Sequence, residues 1–221
     1  MAFDDPCIVT CAVSGVVANK DQHDGIPYTP EEYGKEVRQA RDAGAAMVHI
    51  HARRPDGSPS FDSADYGAIT EAILEQTPDI IINYSTGAVD VPVATRLEYL
   101  RALRPEIGAL NMGSMNYAKY SEKRKDFVFN FVFQNSFDDI IEMLSGMKDA
   151  GIKPELECFD VGHVESYAPL LDLGLLGTPI QFSLIHGVLG GIQADPRNLA
   201  HMAARVPEGS TWGVIGVSRE Q

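Results

Sequence analysis

MVHIHARRPDGSPSFD, residues 47–62, is an apolar run that ends in two histidines one residue apart and then breaks into turn-forming residues. Side chains alternate across a strand, so His49 and His51 point to one side and Ile50 to the other. Their Cα atoms would lie about 7 Å apart from the strand rise, close enough for two imidazoles to hold one ion. A strand that is apolar almost throughout and carries its polar residues only at its C-terminal end is the signature of a parallel sheet covered on both faces. In such sheets the chemistry gathers where the strands end.

The same unit recurs along the chain. Short β-branched runs at CIVTCAV (7–13), AMVHIH (46–51), IIINY (80–84), IGALNM (107–112), PELECF (154–159), PIQFSLI (179–185) and TWGVIGV (211–217) predict strands. Amphipathic stretches follow them at 29–44, 63–77, 91–105, 136–151, 164–174 and 195–207. The first of these starts with an N-cap Thr29 and Pro30, carries Glu31 and Glu32 in its first turn and ends at Gly44, an N-to-C pattern that specifies a helix. FVFNFVF (127–133) fits no βα alternation and reads as an extra strand covering one end.

Seven βα alternations fit a (β/α)₈ barrel or a doubly wound sheet. No GxGxxG follows the first strand, and polar residues follow nearly every strand, which favours the TIM barrel. Seven strands do not close an eight-stranded barrel. The expectation is therefore a single TIM-barrel domain over residues 1–221 that is incomplete at its C-terminus, lacking the last strand and its helices.

Composition narrows the function classes. The 221 residues are 44% hydrophobic and 22% charged, with a formal net charge of −13, ordinary for a globular protein. That charge argues against nucleic acid or an anionic membrane as partner, because both need a basic face. The sequence shows no signal-peptide pattern and no apolar run of membrane-spanning length. Cys7, Cys11 and Cys158 are odd in number and lack CxxC spacing, which reads as reduced core thiols of a cytoplasmic protein.

Each strand end offers candidates. His49 and His51 suit a catalytic zinc, which takes three protein ligands and keeps a fourth position open; the competing reading is a hydrogen-bonded histidine pair. For the third ligand, Glu157, Asp160, His163 and His186 all lie at or after strand ends, and spacing does not choose among them. Ser14 and Gly15 follow the first strand. NYSTG (83–87) brings Asn83, Ser85, Thr86 and Gly87 into a polar turn able to bind a carboxylate or oxyanion. NMGSMN (111–116) contributes Asn111 and Ser114. Glu155 and Glu157 share a strand face, and burying acids costs several kcal/mol unless they are paired or metal-bound. HGVLGG (186–191), with Gly190 and Gly191, could turn N–H groups on an anion, and Arg219 in GVSR (216–219) could clamp a phosphate or carboxylate. Arg53 and Arg54 read equally as substrate anchors and as loop surface.

Taken together, TPEE, MVHIHARRPDG, NYSTG, LNMGSMN, PELECFDVGH, HGVLGG and GVSR, in that order over about residues 7–221, resemble the β-keto acid cleavage enzymes, a family that includes the 3-keto-5-aminohexanoate cleavage enzyme. The resemblance implies a (β/α)₈ barrel with Zn²⁺ held by two histidines and a glutamate. It also implies a reaction in which a β-keto acid and acetyl-CoA give acetoacetate and a new acyl-CoA by condensation and retro-Claisen cleavage. By the same resemblance His49 and His51 are metal ligands. It places Ser85 and Ser114 around the substrate carboxylate and carbonyl; Thr86, Gly87, Asn111 and Arg53 are expected as further substrate contacts from their own positions at the strand ends. Glu157 is a site acid, and Arg219 stands near the catalytic carboxylate and the CoA, beside Gly190 and Gly191. A homo-oligomer, a tetramer in this family, is implied as well.

Two departures stand out. The family's third ligand and its aspartate base lie in a GLEDN-like segment that would fall beyond Gln221, so the chain alone is expected to be inactive or weakly metal-bound. SGVV (14–17) also puts Val17 where relatives with amino-keto substrates carry a glutamate, which points to a non-aminated substrate. Two rivals remain. One is a metal-dependent hydrolase of the amidohydrolase type, with His163 and His186 as ligands; the other is a non-catalytic acyl-CoA- or metal-binding protein.

Overall fold

The computed structural model describes residues 7–15 and 17–217. Strands β1 (Thr10–Ala12), β2 (Met47–Ile50), β3 (Ile81–Tyr84), β4 (Ile107–Asn111), β7 (Lys153–Cys158), β8 (Gln181–His186) and β9 (Thr211–Gly216) form one seven-stranded sheet in the order β1-β2-β3-β4-β7-β8-β9. These are the seven expected strands. Their order never reverses, whereas a doubly wound sheet has a switch point where it must. Sequential parallel order is that of a (β/α) barrel, and this settles the choice between the two architectures.

Between them run α1 (Pro30–Asp42), α2 (Ser63–Gln76), α3 (Val93–Leu103), α4 (Phe137–Ala150), α5 (Val161–Glu165), α6 (Tyr167–Asp172) and α7 (Pro196–Ala203). The start of α1 forms as its sequence predicts: Thr29 caps Glu32, whose side chain reaches back in a capping box. The stretch 164–174 is not one helix. Asp160 caps a short α5 that begins earlier than expected, and Ser166 interrupts it before α6.

Two compact units divide the chain. The first is built on residues up to Ser85, with Ala94–Gly108 and Ala150–Ile152. In it β1, β2 and β3 pair in parallel with Ala12, His49 and Asn83 on one rung. Tyr33 and Val37 of α1, Tyr66, Ile69 and Ile73 of α2, and Leu97 and Leu100 of α3 are buried. The apolar spacing of each helix places these on one face.

The second unit comprises Thr86–Val93, Ala109–Asp149 and Lys153 onward. Its β7, β8 and β9 are parallel, with Glu155 opposite Gln181 and Glu157 opposite Ser183. The extra strand is real and has a partner that the sequence did not reveal: β5 (Met115–Ser121) pairs antiparallel with β6 (Asp126–Phe133), so the tail of NMGSMN begins a hairpin. Phe133, Phe159, Ile185 and Val188 pack together with Met115, Tyr117 and Phe131.

All three cysteines are free, but only Cys158 is a core thiol; Cys7 is exposed and Cys11 half-buried. Among the described residues no helix is long and apolar enough to cross a membrane.

Candidate active site

In the first unit the loops after β1, β2 and β3 leave the sheet at the same end, because the strands are parallel. His49 shares a rung with Asn83, and alternation puts His51 and Ser85 on the same face one rung further. The two histidine rings meet edge to face with centroids 5.0 Å apart, and their Nε2 atoms are 3.3 Å apart. Two nitrogens bound tetrahedrally to one zinc at its usual bond length would be separated by about 3.3–3.4 Å. The spacing therefore fits a shared ion as well as a single N–H···N bond. His51 is held well below the usual imidazole range by burial first, then by His49 and the Arg53 guanidinium, so it presents a neutral ring, the form that ligates metal.

What orients His51 is its backbone. Ser14 Oγ accepts from His51 N–H at 3.0 Å and donates to His51 C=O at 3.1 Å. Tyr33 Oη donates to the same carbonyl at 2.5 Å, and burial pushes this phenol up to about 12, so its proton stays. Arg53 is buried, and its guanidinium donates to the carbonyls of Ser14, Gly15 and Gly57. It fastens the loop that carries Ser14. Ser85 is fixed similarly: its N–H donates to Ile50 C=O, and its carbonyl accepts from Tyr66 and Tyr99 hydroxyls.

The second unit holds the acid. Glu157 is 9% exposed, and burial with the adjacent Glu155 charge pushes its carboxyl up to about 8. No hydrogen-bond donor among the described residues reaches that carboxyl. Glu155, by contrast, accepts from Ser183 Oγ at 2.5 Å and Gln181 Nε2 at 3.4 Å. One carboxyl is thus anchored, while the other is a buried acid able to donate a proton at neutral pH.

Asn111 is buried at the end of β4, with no partner for Nδ2 among the described residues. Ser114 Oγ accepts from Asn135 N–H at 2.8 Å, which leaves its own proton to donate. Thr86, expected to contact substrate, gives its hydroxyl proton to Ala109 C=O. Gly87 lies half-buried in the NYSTG turn.

The glycine loop is built for close packing. A Cβ on Gly190, at φ +107°, would sit 1.9 Å from Asn116 O, and one on Gly191 would sit 2.7 Å from Phe159 O. Gly191 N–H returns to Val188 C=O. Arg219, expected to clamp an anion, lies outside the described residues.

His163 serves the scaffold. Its Nδ1 accepts from Phe159 N–H at 3.3 Å, and the ring bonds the Ser114 backbone. Gly113 must be glycine because a Cβ would meet that ring at 2.5 Å. The Nδ1 lone pair of His163 is thus spent on the Phe159 N–H. His186 Nδ1 makes only a long contact to Gln193 O, and Nε2 has no partner among the described residues. No group of three or more His, Cys, Asp or Glu side chains among the described residues is arranged to hold a metal.

Several of these supports escaped sequence reasoning. Tyr33, Tyr66 and Tyr99 look like ordinary helix core residues, and nothing in their spacing shows that their hydroxyls end on site carbonyls. Asn135 is a loop residue without a motif.

The strand order defines an α/β-barrel protein, whose first unit carries a histidine pair at the end of β2. The model of the β-keto acid cleavage enzyme family matches residues 6–221, and the chain belongs to that family. It is 33% identical over 240 residues to the 3,5-dioxohexanoate:acetyl-CoA acetone transferase of Paraburkholderia graminis, covering 100% of this chain and 77% of that protein. It is 34% identical over 215 residues to the 3-keto-5-aminohexanoate cleavage enzyme of Fusobacterium nucleatum, covering 97% and 74%. The structure of ObcA with oxaloacetate superposes with a TM-score of 0.60 at 24% identity, over 74% of this chain and 37% of that one, a likeness of fold.

Proposed function

We propose that this chain carries the residues of a zinc-dependent β-keto acid cleavage enzyme. A β-keto acid and acetyl-CoA would give acetoacetate and a new acyl-CoA. The bond between C2 and C3 of the keto acid breaks, C2 becomes joined to the acetyl carbonyl carbon, and the C3 acyl group ends on the CoA sulfur. Family membership supports the reaction class. The observation that carries the reading is the pair of Nε2 atoms 3.3 Å apart on one strand end, with the His51 main chain held by Ser14 and Tyr33.

His49 and His51 would hold the ion, whose chemistry when bound is to polarise the keto oxygen as a Lewis acid. Family resemblance assigns Ser85 and Ser114 to the substrate's carboxylate and carbonyl oxygens, and the buried Asn111 amide is a donor of the kind that stabilises a developing oxyanion. Glu157 holds a proton at its carboxyl and delivers it to an oxygen or carbon that gains charge. Arg53 is a positioning residue: with its guanidinium on three carbonyls, it sets the loop that sets His51. Arg219, Gly190 and Gly191 are assigned to the CoA side by family resemblance. Val17 in place of an acid, 58% exposed, supports a substrate without an amine. Three free cysteines support a reducing compartment such as the cytoplasm.

The test is metal content and product formation in wild type and in His49→Ala/His51→Ala. Zinc bound by wild type and lost in the double variant, with acetoacetate that forms only when acetyl-CoA is added, is the expected result. Product without CoA, or zinc retained by the double variant, would sink the reading.

A further inference from the structure

In a (β/α) barrel the loops that follow the strands carry specificity, because the sheet holds them still at the end where the chemistry sits. The β5–β6 hairpin is such a loop, the connection from β4 to α4. It starts beside the buried acid: Met112 N–H donates to the Glu157 carbonyl at 3.0 Å. Glu157 is in register with Ser183, so Ile185, two residues on, stands on the same face nearer the strand end. The hairpin lays its aromatic side against that face. Phe133, Phe159 and Ile185 pack with Met115, Tyr117 and Phe131. The Tyr117 ring stacks on Phe131 at 5.4 Å and 5° and meets Phe159 edge-on at 6.4 Å. Burial first, then the Glu157 charge, raises the Tyr117 phenol, so this ring lies within electrostatic reach of the acid.

The wall is fastened as well as apolar. Ala118 N–H donates to Leu189 C=O at 3.2 Å, and Gly190 has no room for a Cβ against Asn116 O. A substrate group beside Glu157 on the hairpin side therefore meets fixed aromatic carbon. Each methylene buried there is worth about fourfold in affinity, and an aryl group adds ring stacking. A carboxylate in the same place would lose water without a replacement donor on the rings. Glu157, protonated at neutral pH, offers an ammonium no counter-charge.

We propose that Tyr117 and Phe131 form the acyl subsite, and that the β-keto acid taken here carries an uncharged apolar group, alkyl or aryl, at C3. The inference rests on the reaction proposed above and adds the class of its substrate. The test is calorimetric affinity without acetyl-CoA, so that turnover plays no part, for β-keto acids whose C3 substituent is methyl, propyl, phenyl, carboxyethyl or aminopropyl. For wild type, affinity should rise about tenfold from methyl to propyl, phenyl should bind at least as tightly as propyl, and both charged groups should bind more weakly than methyl. Phe131→Leu and Tyr117→Leu, each checked for folding by circular dichroism, should lower the phenyl-to-methyl affinity ratio about threefold or more. A purely structural role would weaken every member alike and leave that ratio unchanged. A charged substituent that binds as tightly as propyl, a ratio that both substitutions leave intact, or no binding of any apolar member would each overturn the proposal. The expected binding order without cleavage when acetyl-CoA is added would count against the reaction while upholding the subsite.

Discussion

Glu157 is the residue whose environment departs furthest from what its type prefers. Its carboxyl is pushed up to about 8 by burial and by Glu155, whereas in the unfolded chain it titrates near about 4.3. Between these values the unfolded state has lost the proton that the folded state still holds, so stability falls as pH rises from about 4.3 to 8 and levels off above. Glu157→Gln removes that penalty. Urea unfolding should find the variant more stable than wild type at pH 8 by on the order of a few kcal/mol, with the gap closing near pH 4.5. A constant gap across that range would show that the carboxyl is not the source. Tyr33→Phe deletes one hydrogen bond to the His51 carbonyl and should cost about 1 kcal/mol, while loosening zinc in a competition assay; unchanged affinity would mean that Ser14 alone holds His51.

At the scale of elements, local chemistry and close packing separate cleanly. The capping box at Thr29 needs only residues 29–32, and Thr29→Ala should lower stability by about 1 kcal/mol. Gly190 needs a neighbour distant in sequence, since its missing Cβ makes room for Asn116 O. Gly190→Ala combines that clash with a positive φ and should cost more than about 2 kcal/mol, read as a drop in the denaturant midpoint; a loss below about 0.5 kcal/mol would show that the loop relaxes freely. Gly190 of HGVLGG thus serves packing against the hairpin, and Gly191 serves packing against the Phe159 carbonyl.

For the whole molecule, the dominant electrostatic fact is a net charge of −13 facing a proposed co-substrate that is itself polyanionic. Repulsion of this kind acts over about a Debye length and is screened by salt. Raising ionic strength from low to physiological values should therefore lower the KM for acetyl-CoA severalfold. A KM that rises instead would mean that local cations outweigh the overall field.

The sequence by itself determined the seven strands, the capped α1, the parallel class of the sheet and the side on which His49 and His51 stand. These follow from period-two and 3.6-residue patterning and from capping, which act over a few residues. The 3.3 Å approach of the imidazoles, the hydroxyls of Tyr33, Tyr66 and Tyr99 on site carbonyls, the turning of His163 into a scaffold residue, and the raised carboxyl of Glu157 were decided by tertiary structure alone. Desolvation and hydrogen bonding depend on which distant groups burial brings together, and no spacing along the chain encodes that directly.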